Sequence, residues 1–321
     1  MGAPIPPPTD DKRLYLVDAF AMIYRAYFAY AYRGGGPQGG GLVNSKGMDT
    51  SAALGFTTTL WSLLSKDKPT HIAVVFDAPG PTDRATEFDF YKANREAMPE
   101  GIRECLPWIK KIVDAFNIPR LELGGYEADD LIGTLAKKAE KDGYEVLMVT
   151  PDKDFGQLVS ENISMYKPAH KGGGFEVHGL NEVLAKWEIK DPLQVIDILG
   201  LMGDSADNIP GVPGVGEKTA IKLLKQYHSI EGLYEHADEI KGKLGEKIRD
   251  NQEKALMSKY LATIIVDAPV NIDEEDLVLS DPNREELANI FAELEFRDLG
   301  RRVLGGEFNI VSEDDVGDLW D

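Results

Sequence analysis

Apolar residues in the first half of the chain fall into short, nearly unbroken runs set between longer amphipathic stretches. Leu14 to Asp18 (LYLVD), His71 to Asp77 (HIAVVFD), Arg120 to Leu123, Glu145 to Thr150 (EVLMVT) and Ile163 to Tyr166 read as buried strands. Ser51 to Ser65, Gly101 to Phe116 and Ala128 to Lys141 carry their apolar residues at helical spacing. Strands without polar alternation, separated by helices, predict an α/β fold on a mostly parallel central sheet flanked by helices. Beyond residue 180 the pattern is helical only: Asn181 to Trp187, Leu193 to Gly200, Glu217 to Tyr227, Ile230 to His236, Leu244 to Tyr260 and Arg284 to Glu293.

This divides the chain into a Pro-rich disordered leader (1–11), an α/β core (12–180), an all-helical part (181–304) and an acidic tail or linker (305–321). Two stretches interrupt the core. Arg33 to Gly41 (RGGGPQGGG) has Gly or Pro at seven of nine positions and is expected to be flexible. Residues 78–100 are polar and of mixed charge, long for a plain loop, which favours a functional or helical excursion.

With 43% hydrophobic and 28% charged residues among 321, the chain has the profile of a soluble globular protein. No apolar run is long enough to span a membrane, and the start lacks the layout of a signal peptide. The single cysteine, Cys105, excludes an internal disulfide and a zinc–cysteine cluster, and points to reducing cytoplasm. The net charge of −20 does not suggest a nucleic-acid partner. Much of it is concentrated, however: from Asp273 onward 16 acids face 4 bases. The rest is closer to balance and can hold basic patches.

The acids of the core are placed unusually. Asp18 and Asp77 end strands, and Asp152 and Asp154 follow one directly. Ligands of open parallel sheets bind beyond the carboxyl ends of the strands. Glu127, Asp129 and Asp130 open a helix, where its dipole offsets part of their repulsion, and Asp204 and Asp207 stand in GDSADN. Each acid alone reads equally as a helix cap or a solvated turn. Together they would raise one another's pKa unless divalent cations with oxygen shells, Mg²⁺ or Mn²⁺, neutralised them. No histidine pair stands at ligand spacing, so a zinc hydrolase is disfavoured. Two hard cations about 4 Å apart suit phosphodiester cleavage.

Asn208 to Ala220 (NIPGVPGVGEKTA) places glycine amides at the start of a Lys-bearing helix, an anion nest. It superficially resembles a nucleotide-binding P-loop. Glu217 breaks the spacing between Gly216 and Lys218, however, and no strand precedes it. A helix-hairpin-helix over 208–224 that grips a DNA backbone without reading sequence fits better, against a plain helix corner as the bland alternative. Arg84, Tyr91, Lys92 and Arg95 follow Asp77. They suit a strand whose phosphates are steered and whose end base is stacked, and equally a solvated charged helix face. Arg25 could neutralise a phosphate or pair with an acid, and Tyr24, Tyr27 and Phe28 could be core.

VDAFAMIYRAY, AVVFDAPGPTDR, YKANR, GYEADDLIGTLA, VTPDKDFGQLV and GDSADNIPGVPGVGEKTA resemble, in order and spacing, the 5′ nuclease domains of bacterial DNA polymerase I and the wider flap endonuclease family. The resemblance covers residues 12 to 304. It implies a PIN-like 5′-nuclease fold with a helical arch over the centre. It implies that Asp18, Asp77, Glu127, Asp129, Asp130, Asp152, Asp154, Asp204 and Asp207 hold two Mg²⁺ or Mn²⁺ ions. Lys92, Arg25 and Arg84 are the implied catalytic cations, with Tyr91 and Arg95 on the arch. Gly211, Val212, Gly214, Val215, Gly216, Lys218 and Thr219 are the implied duplex contacts, with K⁺ on the hairpin carbonyls.

The implied reaction is cleavage of 5′ flaps and of nicked or 5′-ended duplex DNA by a metal-activated water, in primer removal and repair. It leaves a 5′-phosphate and a 3′-hydroxyl. The implied setting is a nucleoid-associated monomer joined to, or working with, a DNA polymerase.

Ala19 and Phe20 stand where the family often has Gly and a small polar residue after the first Asp, and the Gly-rich stretch falls where relatives have a shorter segment near the duplex wedge. The length leaves no room for polymerase domains, which reads as a fragment or a free-standing nuclease. A PIN-like RNA nuclease would need neither hairpin nor arch. A DNA-binding module without chemistry would have lost acids. A haloacid dehalogenase phosphatase would need Asp where Phe20 stands.

Overall fold

The computed structural model describes residues 12–31, 41–169, 174–306 and 308. The proposed leader, most of the Gly-rich stretch and most of the acidic tail lie outside the described residues. Six strands form one sheet in the order β3-β2-β1-β4-β5-β6. They are β1 (Arg13–Asp18), β2 (His71–Val75), β3 (Arg120–Leu121), β4 (Glu145–Val149), β5 (Ile163–Pro168) and β6 (Phe175–His178). β1 pairs parallel with β4, Leu14 opposite Val146, and β4 parallel with β5. β6 returns antiparallel beside β5. It is four residues long and carries the polar sequence FEVH, so it has no apolar run to announce it.

Contacts group the chain into two compact units, each discontinuous in sequence. The larger holds Met1–Asp18, Val75–Ala97 and Glu122–Ile272. In it the fully buried Leu14, Tyr15 and Leu16 of β1 and Val146 and Met148 of β4 lie under α5 (Ala128–Lys141), whose Ile132, Leu135 and Ala136 are buried. The same unit contains α3 (Asp83–Glu87), α6 (Leu180–Trp187), α7 (Gln194–Met202), α8 (Glu217–Tyr227), α9 (Ile230–Glu235), α10 (Gly242–Asp250) and α11 (Gln252–Ala262). Sequence periodicity gives one helix from Leu244 to Tyr260. The structure breaks it at Asn251, whose φ of −124° is not helical and whose side-chain amide bonds the Lys247 carbonyl at 2.8 Å. Residues 78–100 contain α3 and a run of turns, and the next long helix begins at Glu100.

The smaller unit holds Ala19–Val74, Met98–Leu121 and Asp273–Asp321. Its helices are α1 (Ala19–Ala31), α2 (Ser51–Lys66), α4 (Glu100–Ala115), α12 (Arg284–Glu293) and α13 (Arg297–Leu304). Buried Ala19, Met22, Ile23 and Ala26 recur at helical spacing along α1, the periodicity of an amphipathic helix.

Candidate active site

All nine candidate acids belong to the larger unit. Asp18 closes β1, and its Oδ2 accepts the Thr150 hydroxyl at 3.0 Å just past β4. Thr150 Oγ1 in turn accepts the Asp152 amide at 3.2 Å, and Asp152 Oδ1 accepts the Asp154 amide at 3.0 Å. The ends of two parallel strands thus bring three acids into one hydrogen-bonded run. Asp77, exposed two residues past β2, accepts the Ala128 amide at 2.9 Å, so the unsatisfied N–H groups of α5 hold it beside Glu127. Asp204 and Asp207 lie in a turn after α7, closed by reciprocal backbone bonds between Asp204 and Ile209.

Cations stand among these acids. Arg84, 5% exposed, makes two bonds to Asp130 at 2.7 and 2.9 Å, donates to the Thr263 carbonyl at 2.7 Å and lies 3.5 Å from Glu127. Lys92 Nζ is 2.6 Å from Glu127 and 3.6 Å from Asp207, and Arg95 bonds Asp207 at 2.6 Å. Lys153 bonds Asp204 and lies 3.9 Å from Asp154. The segment carrying Lys92 is anchored by its backbone too. The Lys92 amide bonds the Asp207 carbonyl, the Asn208 amide group bonds the Phe90 carbonyl and that of Asn94 bonds Ser205. Lys92 and Asn208 both hold left-handed φ values, 56° and 57°, a local cost that these surrounding bonds sustain.

The field of the site favours positive charge. Burial works against the charge on Lys92, yet Asp129 and Glu127 outweigh it and raise its pKa. Burial, then the Glu127 charge, drives the Asp129 carboxyl well above the usual range. Burial, then Asp152, pushes Asp154 up to about 8. Among the described residues no three acids converge at metal-ligand distance; ammonium groups bridge them instead. The donor set nevertheless fits a hard cation. It is all oxygen, and the buried Asp154 Oδ1 has no hydrogen-bond partner, which is costly unless a cation satisfies it.

The hairpin joins α7 to α8. Gly211 has φ of 58°, and an added Cβ there would lie 2.3 Å from the Gly203 nitrogen, so only glycine lets the two strands of the turn touch. Val212 and Val215 are buried anchors whose amides bond the Leu201 and Val212 carbonyls, so exposed Gly214 and Gly216 are what the turn can offer a ligand. Pro213, Gly214, Gly216, Glu217 and Lys218 are exposed, and Thr219 is half-buried. Gly216 caps α8 with open space around it.

Several residues stand differently from the sequence expectation. Arg84 is a buried partner of Asp130 and not a cation reaching outward. Asp130 accepts four donors, two from Arg84 and the amides of Glu127 and Ile265, so its lone pairs are committed to the protein. Tyr91, 5% exposed with its hydroxyl on Glu127 at 3.2 Å, presents no face for stacking a base. Arg25 is half-buried on α1, in the smaller unit. Lys153, Asn94 and Asn208 were not singled out by sequence. Lys153 sits between two acids in PDKD, and that adjacency was the available signal.

The chain matches two family models. Residues 13–188 match the "5′-3′ exonuclease, N-terminal resolvase-like domain", and residues 190–285 the "5′-3′ exonuclease, C-terminal SAM fold". It is 45% identical to DNA polymerase I of Bacillus subtilis over 96% of this chain and 34% of that protein. It is 37% identical to a 5′-3′ exonuclease of Aquifex aeolicus over 91% of this chain and 95% of that protein. The chain thus spans about a third of the length of the polymerase relatives it matches. Among solved structures it superposes on a pseudo-enzyme–product complex of the bacteriophage T5 flap endonuclease with DNA and metal ions. There the TM-score is 0.62 at 18% identity, covering 91% of this chain and 98% of that one. The catalytic core of Rad2 in complex with DNA substrate gives 0.60 at 16%, covering 91% of each.

Proposed function

We propose, since the chain belongs to the 5′-3′ exonuclease family, that it is a structure-specific 5′ nuclease acting on 5′ flaps and on nicked or 5′-ended duplex DNA. One observation carries this reading. Glu127 and Asp129 at the start of α5, Asp152 and Asp154 after β4, and Asp204 and Asp207 before the hairpin share a single linked field of charge. Divalent ions at these acids, Mg²⁺ or Mn²⁺, would supply the Lewis acidity that activates water and offsets developing charge.

The protein's own groups do the rest. Glu127, Asp129, Asp152, Asp154, Asp204 and Asp207 are the proposed ligands, while Asp18 and Asp77 are held beside them by Thr150 and the α5 amides. Lys92 and Arg95 supply positive charge where a phosphodiester approaches the acids. Hairpin amides grip the backbone without reading bases, and the hairpin carbonyls are the proposed seat for K⁺. Hydrolysis leaves a 5′-phosphate and a 3′-hydroxyl. We further propose action as a monomer in bacterial cytoplasm, at the nucleoid, with a DNA polymerase.

A 5′-flap DNA labelled at its 3′ end, incubated with and without Mg²⁺, is expected to give products cut at or near the junction only with the ion. Cutting of RNA alone would support a PIN-like enzyme instead, and binding without cutting a module that has lost its chemistry.

The hairpin has its own test. Gly216→Asp meets no neighbour and requires no left-handed backbone. Aspartate is also a favoured N-cap, so α8 should be unharmed or slightly stabilised. Its charge at the anion nest should weaken duplex binding roughly tenfold, about 1.4 kcal/mol. Unchanged affinity by fluorescence anisotropy would remove the hairpin from the DNA interface.

A further inference from the structure

Lys153 stands out because the reading above gives it no role. It follows β4 between Asp152 and Asp154, and its ammonium bridges Asp204 and Asp154, acids that arrive from two segments distant in sequence. Its side chain is 34% exposed, whereas Asp204 is 8% and Asp154 14% exposed. The lysine is thus more exposed than either acid it lies between. The same arrangement recurs beside it, where Lys92 bridges Glu127 and Asp207. A free lysine gains little from an exposed ion pair. Here the carboxylates are withdrawn from water, and Asp154 Oδ1, 3.9 Å from the ammonium, still lacks a hydrogen-bond partner. One ammonium cannot satisfy all the oxygens of this corner, whereas a hard divalent cation with six or more oxygen ligands can.

We propose that Lys153 is a resident counter-cation of the Asp154–Asp204 pair, displaced when a divalent ion enters, and that it sets how tightly this corner binds the ion. The inference rests on the metal-dependent reading above. Before loading, Lys153 neutralises Asp204 and lies beside Asp154, holding the turn after α7 against the end of β4. On loading, the divalent charge takes over that duty and the long, half-exposed lysine turns outward to water at small cost. Without the ammonium, an entering ion would have no cation to displace from Asp204.

Mn²⁺ titration of the DNA-free chain by calorimetry tests this with Lys153→Met, Lys153→Arg and Asp154→Asn beside wild type. Lys153→Met should bind Mn²⁺ roughly tenfold tighter, the scale on which groups around a metal site tune affinity. It should also show a larger Mn²⁺-induced rise in Tm, and Lys153→Arg should stay near wild type. A second readout needs no variant. Acetylation of Lys153 in the wild-type chain, followed by peptide mass spectrometry, should speed up several-fold when Mn²⁺ is added. Equal Mn²⁺ affinity in Lys153→Met, or a labelling rate that Mn²⁺ does not change, would overturn the proposal. If Asp154→Asn loses Mn²⁺ binding while Lys153→Met does not alter it, only the role of Lys153 fails. If Asp154→Asn binds Mn²⁺ like wild type, the metal reading of this corner fails with it.

Discussion

Asp130→Ala should lower the stability of the protein by about 3–5 kcal/mol, a large share of the roughly 5–15 kcal/mol typical of a folded domain. The cause is Arg84. The residue is 5% exposed and its guanidinium makes two bonds to Asp130, and burial disfavours its charge while the Asp130 hydrogen bond and charge restore it. Removing the carboxylate strands that charge with the Thr263 carbonyl and Glu127 at 3.5 Å as its remaining partners. It also frees the amides of Glu127 and Ile265. Glu127 softens the loss, which favours the lower part of the range. Asp129→Asn, one residue away, should do the opposite. Burial and the Glu127 charge already disfavour its ionised form, so neutralising it leaves the metal-free fold as stable or more so. Cleavage should nevertheless vanish, because a proposed metal ligand has gone. Urea unfolding in EDTA separates the two. A loss under about 1 kcal/mol in Asp130→Ala, well below what breaking a buried pair costs, would mean that Asp130 is not the partner Arg84 requires.

That contrast shows what a sequence can and cannot reveal. The core strands were legible because they are nearly unbroken apolar runs, the signal of a strand covered on both faces. The placement of acids at strand ends and helix starts, where ligands meet an α/β sheet, was legible. Division of labour within ADD was not legible. Asp129 and Asp130 are the same residue type in consecutive positions of one helical turn, and only Arg84, 46 residues away, makes one of them structural. Arg84 and Tyr91 looked like outward-facing groups because they lie in a polar segment, whereas tertiary packing buries both. β6 and the break at Asn251 escaped for a related reason: a short polar edge strand and a one-residue interruption leave the apolar periodicity almost unchanged.

The pH dependence of metal-free stability should carry the signature of Asp154. Burial, then the neighbouring Asp152, raises its pKa from 3.8 to about 8 in the folded chain. A carboxyl with a raised folded pKa contributes stability that is full below the unfolded value and is lost as pH climbs toward the folded one. Between these limits the folded chain holds a proton that the unfolded chain has released. Unfolding free energy therefore falls with pH, by at most about 1.4 kcal/mol per unit for one proton. Asp154→Asn lacks this proton, so in EDTA its stability relative to wild type should rise steadily from about pH 4 to about pH 8.

A divalent ion competes with the same proton. The Mg²⁺-induced gain in wild-type Tm should therefore be small near pH 5 and large near pH 8.5, and should largely disappear in Asp154→Asn. Saturating the site a hundredfold above its Kd would add about 2.7 kcal/mol, readily seen by thermal unfolding. Parallel wild-type and Asp154→Asn curves across that range, with an equal response to Mg²⁺, would show that Asp154 is ionised and solvated in the folded chain and holds neither proton nor metal.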